Sequence, residues 1–156
     1  MTSSGNRVST SKLGKLLPRS QRSPLSKGEA MARIRSKDTK PERVVRTLLA
    51  SSGVKYRMNV RDLPGKPDFA NKSRRFAIFV HGCFWHSHAD CKLASDPKSN
   101  RNYWQPKLDR TKARDAEHVR NLERRGYRVL TVWECDTRRP GAAAQRIADF
   151  FGRQEV

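Results

Sequence analysis

Apolar side chains recur with a helical period at Val44, Val45, Leu48 and Leu49, inside the segment KDTKPERVVRTLLASSG. The flanks bound that helix: Thr39 occupies the N-cap position, Pro41 falls in the first turn, Glu42 follows the cap by three residues, and Gly53 lies past the end. VKYRM then alternates apolar Val54, Tyr56 and Met58 with Lys55 and Arg57, the period of a half-buried strand, and LPGKP turns the chain. PDFA and RRFAIFVHG follow as two more strands, the second a continuous apolar run of the kind covered on both faces. PKLDRTKARDAEHVRNLERRG predicts a long basic helix from Pro106 to Gly126 with a sparse apolar stripe at Leu108, Val119 and Leu122. YRVLTVWEC reads as a buried strand with Trp133 in the core, and AAAQRIADFF as a last amphipathic helix. The order helix, strand, strand, strand, helix, strand, helix predicts an α/β fold, a mixed sheet flanked by helices.

Charge decides the partner class. Thirty-four Lys and Arg stand against fifteen Asp and Glu, a formal net charge of +19 over 156 residues. Such a balance calls for a polyanion. Nucleic acid fits better than a membrane surface, because no stretch approaches the roughly 20 apolar residues of a spanning helix and the basic residues are spread along the chain. Residues 1–27 hold six basic side chains and no acidic one among Ser, Thr, Gly and Pro. They predict a disordered basic arm that contacts DNA or serves no function, a transit peptide being the alternative, ahead of a single domain over residues 28–156.

Chemistry concentrates in FVHGCFWHSHADC, Phe79 to Cys91, which holds three of the four histidines and two of the three cysteines. An odd cysteine count without a secretory signal argues against a disulfide framework. Cys83, His88 and Cys91, spaced C-x4-H-x2-C, join Cys135 at the end of the later strand as a complete tetrahedral set for structural zinc; the alternative is that the cysteines are small buried apolar residues. Asp68, after Pro67 at a strand start, is either a turn residue or a magnesium ligand at the sheet edge. His81 and His86 remain for acid and base work. Glu42 is open between cap and site. Phe84 and Trp85 are open between a DNA wedge and a mini-core around the zinc, and Trp104 reads as an anchor before its helix.

Taken in order, MARIRSKDTKPE, LPGKPDF, FVHGCFWHSHADC, NYWQPKL and GYRVLTVWEC resemble the very short patch repair (Vsr) endonucleases of bacteria over roughly residues 26–150. The resemblance implies a restriction-endonuclease-like fold in which His81 falls where a lysine is usual. It also implies roles: Asp68 and the Val80 carbonyl would hold magnesium, His86 would act as general base, His81 would assist at the phosphate, and Glu42 would support His86 or metal-bound water. Cys83, His88, Cys91 and Cys135 match a structural zinc set. Phe84, Trp85 and Trp104 match aromatics that enter the duplex, with Met31 wedging from the other groove. Val80 stands where one member of that family has a threonine, and the His88 to Cys91 spacing is one residue longer than in that member.

The activity so implied is nicking of one strand of double-stranded DNA 5′ to the thymine of a T:G mismatch, in repair of deaminated 5-methylcytosine. A monomer in the bacterial cytoplasm, at the nucleoid, would suffice, with mismatch-repair proteins as candidate partners. The rival classes are a restriction-type nuclease on matched duplex and a zinc-stabilised DNA-binding module without catalysis.

Overall fold

The computed structural model describes residues 37–95 and 97–152. The basic arm expected over residues 1–27, and Met31, lie outside the described residues. In chain order the elements are α1 (Lys40–Ser51), β1 (Arg57–Met58), β2 (Phe69–Asn71), β3 (Phe76–His81), a 3-10 turn (Lys92–Ala94), α2 (Arg101–Arg124), β4 (Arg128–Trp133), α3 (Glu134–Arg138) and α4 (Ala142–Gly152). The strands form one sheet in the order β1-β2-β3-β4. β1 with β2 and β2 with β3 are antiparallel, whereas β3 and β4 are parallel and joined through α2, so the sheet is mixed as the sequence predicts.

Alternation along β3 decides which helix covers which face. Phe76 and Ile78 enter one apolar cluster with Val45 and Leu49 of α1, Val132 of β4, and Ala143 and Ile147 of α4. Ala77 and Phe79 enter the other, with Leu122 of α2 and Val60 and Leu63 of the loop before β2. His81 continues that second face at the strand's end, so it points into the layer that α2 covers. Phe76 is fully buried and meets Phe150 and Phe151 edge-on at 6.5 and 5.1 Å. Truncation of Phe76 to Ala is expected to cost about 3–5 kcal/mol, read as a lower urea midpoint at unchanged m-value.

Helix α1 starts where its cap requires. Thr39 is extended (φ −69°, ψ 162°) and its Oγ1 accepts from the Glu42 N–H at 3.4 Å. The Glu42 carboxylate reaches back, accepting from the Thr39 hydroxyl and the Asp38 N–H, each at 2.9 Å.

Four expectations need correction. VKYRM pairs only at Arg57 and Met58, and Met58 is exposed; Val54 and Tyr56 pack on the core from outside the ladder. Helix α2 begins at Arg101, so Pro106 lies inside it and Trp104 sits in its first turn rather than ahead of it. At the sixth helical position proline forgoes the bond to the Asn102 carbonyl and crowds it, a local cost, and Asn100, at φ 56°, redirects the chain to start the helix. Cys135 lies not in β4 but in the short helix α3, which the alternating apolar pattern conceals. Trp133 is half-buried at the strand end, outside the core clusters.

Candidate active site and metal centre

Two clusters meet at the C-terminal end of β3. The first is built on the LPGKPD turn, which is stitched by the Lys66 N–H to the Leu63 carbonyl (3.0 Å) and pinned by the Val60 N–H to Pro67 (3.1 Å) and the Asn59 N–H to the Asp68 carbonyl (2.8 Å). These bonds bring the Asp68 carboxylate beside β3, where Oδ2 accepts from the Val80 N–H at 2.7 Å. In an extended strand a residue's N–H and C=O leave on the same side, so the Val80 carbonyl faces the edge that Asp68 occupies. Burial, helped by the nearby charge of Glu42, pushes the Asp68 carboxyl up to about 6, against the Val80 hydrogen bond and His86, which lower it. Glu42, buried, thus serves both as part of the cap and as a neighbour of Asp68.

His81 and His86 lie ring on ring, centroids 3.8 Å apart and planes within 5°. His86 is brought back over the strand end by the turn after Gly82, whose carbonyl accepts the His86 N–H at 3.2 Å. Its Nδ1 stands 2.5 Å from Oδ2 of Asp115 on α2. A carboxylate there assigns the proton to Nδ1 and leaves Nε2 as the basic nitrogen. Burial, reinforced by His86, lowers His81 to about 4, while Asp115 opposes and His118 adds to the fall. His81 is therefore a neutral imidazole. Burial works against ionisation of Asp115, but the hydrogen bond and charge of His86 outweigh it and hold the carboxyl below its ordinary value.

Ligand atoms of His81, His86 and Asp115 all lie within 4.8 Å of one another. Stacked parallel rings aim their lone pairs along parallel planes, so they suit packed imidazoles better than joint ligation of one ion. Asp115 is the functional candidate that sequence reasoning missed. A signal existed: Asp115 stands seven residues from both Leu108 and Leu122, the two buried residues of α2, and so occupies an inward position on an exposed basic helix.

The second cluster gathers Cys83, His88, Cys91 and Cys135, again with every ligand atom within 4.8 Å of the others. His88 Nδ1 lies 3.6 Å from Cys83 Sγ and 3.4 Å from Cys135 Sγ. A tetrahedral ion with ordinary metal–sulfur and metal–nitrogen bonds sets such edges at about 3.5–3.8 Å, so the donor set fits one closed site. Burial pushes the Cys83 thiol up to about 12, whereas hydrogen bonds, from the Leu93 backbone first, hold Cys91 below its ordinary value. Trp133, the register partner of His81 across the parallel pair, joins the clusters: it stacks on His88 at 4.0 Å and meets His81 edge-on at 5.5 Å.

Beside both lies an aromatic patch. Phe84 and Trp85 meet at 5.2 Å, Trp104 completes the group at 5.6 and 5.9 Å, and Tyr103 adds an edge at 5.1 Å. The Lys107 ammonium stands 5.3 Å from the Trp104 ring. Phe84, Trp85 and Trp104 are half-buried and Tyr103 is 62% exposed, so the group is packed on itself and open on one side.

Comparison with known proteins gives the class as an endonuclease. The fold is shared with the catalytic domain of the homing endonuclease I-Bth0305I, at a TM-score of 0.51 and 22% identity over 76% of this chain and 100% of that one. Residues 19–93 match the family described as DNA mismatch endonuclease Vsr. The type II nicking enzyme V.XorIIP of Xanthomonas oryzae is 44% identical over 83% of this chain and 94% of its own. The DNA mismatch endonuclease Vsr of Escherichia coli is 37% identical over 72% of each. V.NmeAIP of Neisseria meningitidis, another type II nicking enzyme, is 38% identical over 75% of this chain and 83% of its own. The chain belongs to the Vsr endonuclease family.

Proposed function

We propose that this chain is a magnesium-dependent DNA endonuclease that nicks one strand 5′ to the thymine of a T:G mismatch, leaving a 5′-phosphate and a 3′-hydroxyl. The observation that carries the reading is the His86–Asp115 contact of 2.5 Å beside Asp68 at the end of β3. His86 Nε2 takes a proton from water, and the hydroxide so formed attacks phosphorus in line. The bond from phosphorus to the 3′-oxygen breaks, and that oxygen collects a proton from solvent. Asp115 is a positioning residue, fixing the tautomer and stabilising the imidazolium that forms. His81, kept neutral, donates a hydrogen bond to the phosphate without competing for the proton. Asp68 and the Val80 carbonyl are the ligands for magnesium, which when bound supplies charge stabilisation at the phosphate. Glu42 supports this edge through its charge next to Asp68.

The Cys83, His88, Cys91 and Cys135 set is read as structural zinc, holding the loop after β3 against the start of α3. Phe84, Trp85 and Trp104 are the wedge. A mispaired step costs less to unstack than a paired one, so insertion discriminates between them. The net charge of +19 supplies phosphate affinity. Among the described residues no helix is long and apolar enough to cross a membrane, and a monomer acting on bacterial DNA in the cytoplasm suffices.

The products test the reading. With each strand of a T:G duplex labelled in turn, magnesium should give one cut, in the thymine strand, bearing a 5′-phosphate. Cuts in both strands favour a restriction-type nuclease, and product formed equally in EDTA removes magnesium from the chemistry. Asp115→Asn should lower the single-turnover rate about a hundredfold or more with little change in duplex affinity, and should shift the pH–rate profile; an unchanged profile removes Asp115 from its role.

A further inference from the structure

His118 lies one turn beyond Asp115 on α2, and the proposed chemistry leaves it unused. Its ring is set against the turn that carries Asp68. A Cβ placed on Gly65 would fall 2.8 Å from His118 Nδ1 and 2.9 Å from its Cβ and Cγ. Gly65 also has φ +73°, so ring and turn approach this closely only because residue 65 has no side chain. Between Asn59 and Asp68 the turn is cross-braced by three backbone hydrogen bonds. A shift at Gly65 is therefore passed on to Asp68 rather than absorbed.

The spacing of Asp115, His118 and Leu122 as i, i+3 and i+7 puts them on one stripe of one helix. Leu122 shares an apolar cluster with Val60 and Leu63, at the base of the same turn. One rigid helix thus grips the turn at two points and holds His86 at a third.

Resting on the assignment of Asp68 and His86 to the chemistry, we infer that His118 is a positioning residue. By packing on Gly65 it sets the spacing between the Asp68 turn and the helix that orients His86. The contact is steric, so what matters at position 118 is a side chain that fills the space over Gly65. Losing it lets the turn drift away from β3, which weakens the metal-holding edge before it weakens the fold. Displacements of about 1 Å at such a site are enough to cost one to two orders of magnitude.

The test is magnesium-dependent nicking by the full chain under single turnover, on the duplex that wild type cuts. His118→Ala should raise the half-saturating magnesium concentration about tenfold, with a much smaller loss of rate at saturating magnesium. His118→Asn, which refills the space beside Gly65, should restore most of it. Gly65→Ala should show a similar rise, and the double variant less than the product of the two, because each breaks the same contact. If His118→Ala only lowers the urea midpoint and leaves the magnesium response within about twofold of wild type, the inference is overturned; so too if the single effects multiply independently. Should His118→Ala fail to fold, the magnesium responses of His118→Asn and Gly65→Ala decide: a wild-type response in Gly65→Ala overturns it. Asp68→Asn in the same series separates the two levels: if it nicks like wild type, the active-site assignment itself falls, whereas if it is inactive while His118→Ala is normal, only the role of His118 falls.

Discussion

Asp68→Asn is expected to abolish nicking, by at least about a thousandfold, while leaving duplex binding and the fold intact. The amide keeps an oxygen to accept from the Val80 N–H, so the 2.7 Å bond that seats the turn survives. What it loses is charge. The same variant carries a pH signature, because burial pushes the Asp68 carboxyl up to about 6 from an ordinary 3.8. A raised folded-state value means that the group contributes stability below its unfolded value and loses that contribution as pH rises through about 6. In the metal-free protein Asp68→Asn should therefore unfold at higher urea than wild type at pH 8, by an amount on the order of 2–3 kcal/mol, and the gap should close toward pH 4. Wild-type nicking should rise with pH through the same window, since Asp68 must be ionised to hold a cation. A variant less stable than wild type at pH 8, or one that still nicks, contradicts the role given to Asp68.

Loss of the proposed zinc from the cysteine cluster should have the largest effect on stability. Cys83 is fully buried at the centre of the set, and its Sγ also accepts from the Cys135 N–H at 3.4 Å. Cys83→Ala, or a chelator strong enough to strip zinc, should cost several kcal/mol and lower Tm on the order of 10 °C. Elemental analysis should give about one zinc per chain in wild type and close to none in the variant. The damage should spread to chemistry, because the loop carrying Phe84, Trp85 and His86 runs between Cys83 and His88 of the cluster. A metal-free wild type of unchanged Tm would remove the cluster from any structural role.

Local chemistry explains what was readable in the chain. The α1 cap is written in Thr39 and Glu42, and the buried central strand in FAIFVH, because both depend on neighbours in sequence. The cysteine cluster was legible by composition to the extent that its four scarce residues stand out in the chain, and the fold brings their side chains together. The inward position of Asp115 was legible in its spacing from Leu108 and Leu122, but its pairing was not, since His86 lies 29 residues away and only the packing of α2 on the strand end joins them. Trp133 was misread because an aromatic in an apolar strand resembles core. Its position at the last residue of β4, opposite His81, turns the ring toward the two clusters instead. The start of α2 was misplaced because Pro106 is a common first-turn residue, whereas the real start is set by the backbone at Asn100.

Glu42 and the aromatic patch show why open alternatives at the sequence level need not be exclusive. Glu42 completes the cap of α1 and also bears on Asp68, because the helix N-terminus abuts the strand ends. Phe84, Trp85 and Trp104 pack on one another while each stays half-buried, so the small apolar cluster they form is compatible with the proposed wedge.

Directing hydrolysis by the ease of opening a mispaired step is the central claim, and one measurement bears on it directly: the single-turnover rate in magnesium on two duplexes identical except for T:G or C:G at one step. Expected is a rate ratio of about a hundredfold or more in favour of T:G in wild type, collapsing toward parity in Trp85→Ala. Equal rates on the two duplexes in wild type would contradict it.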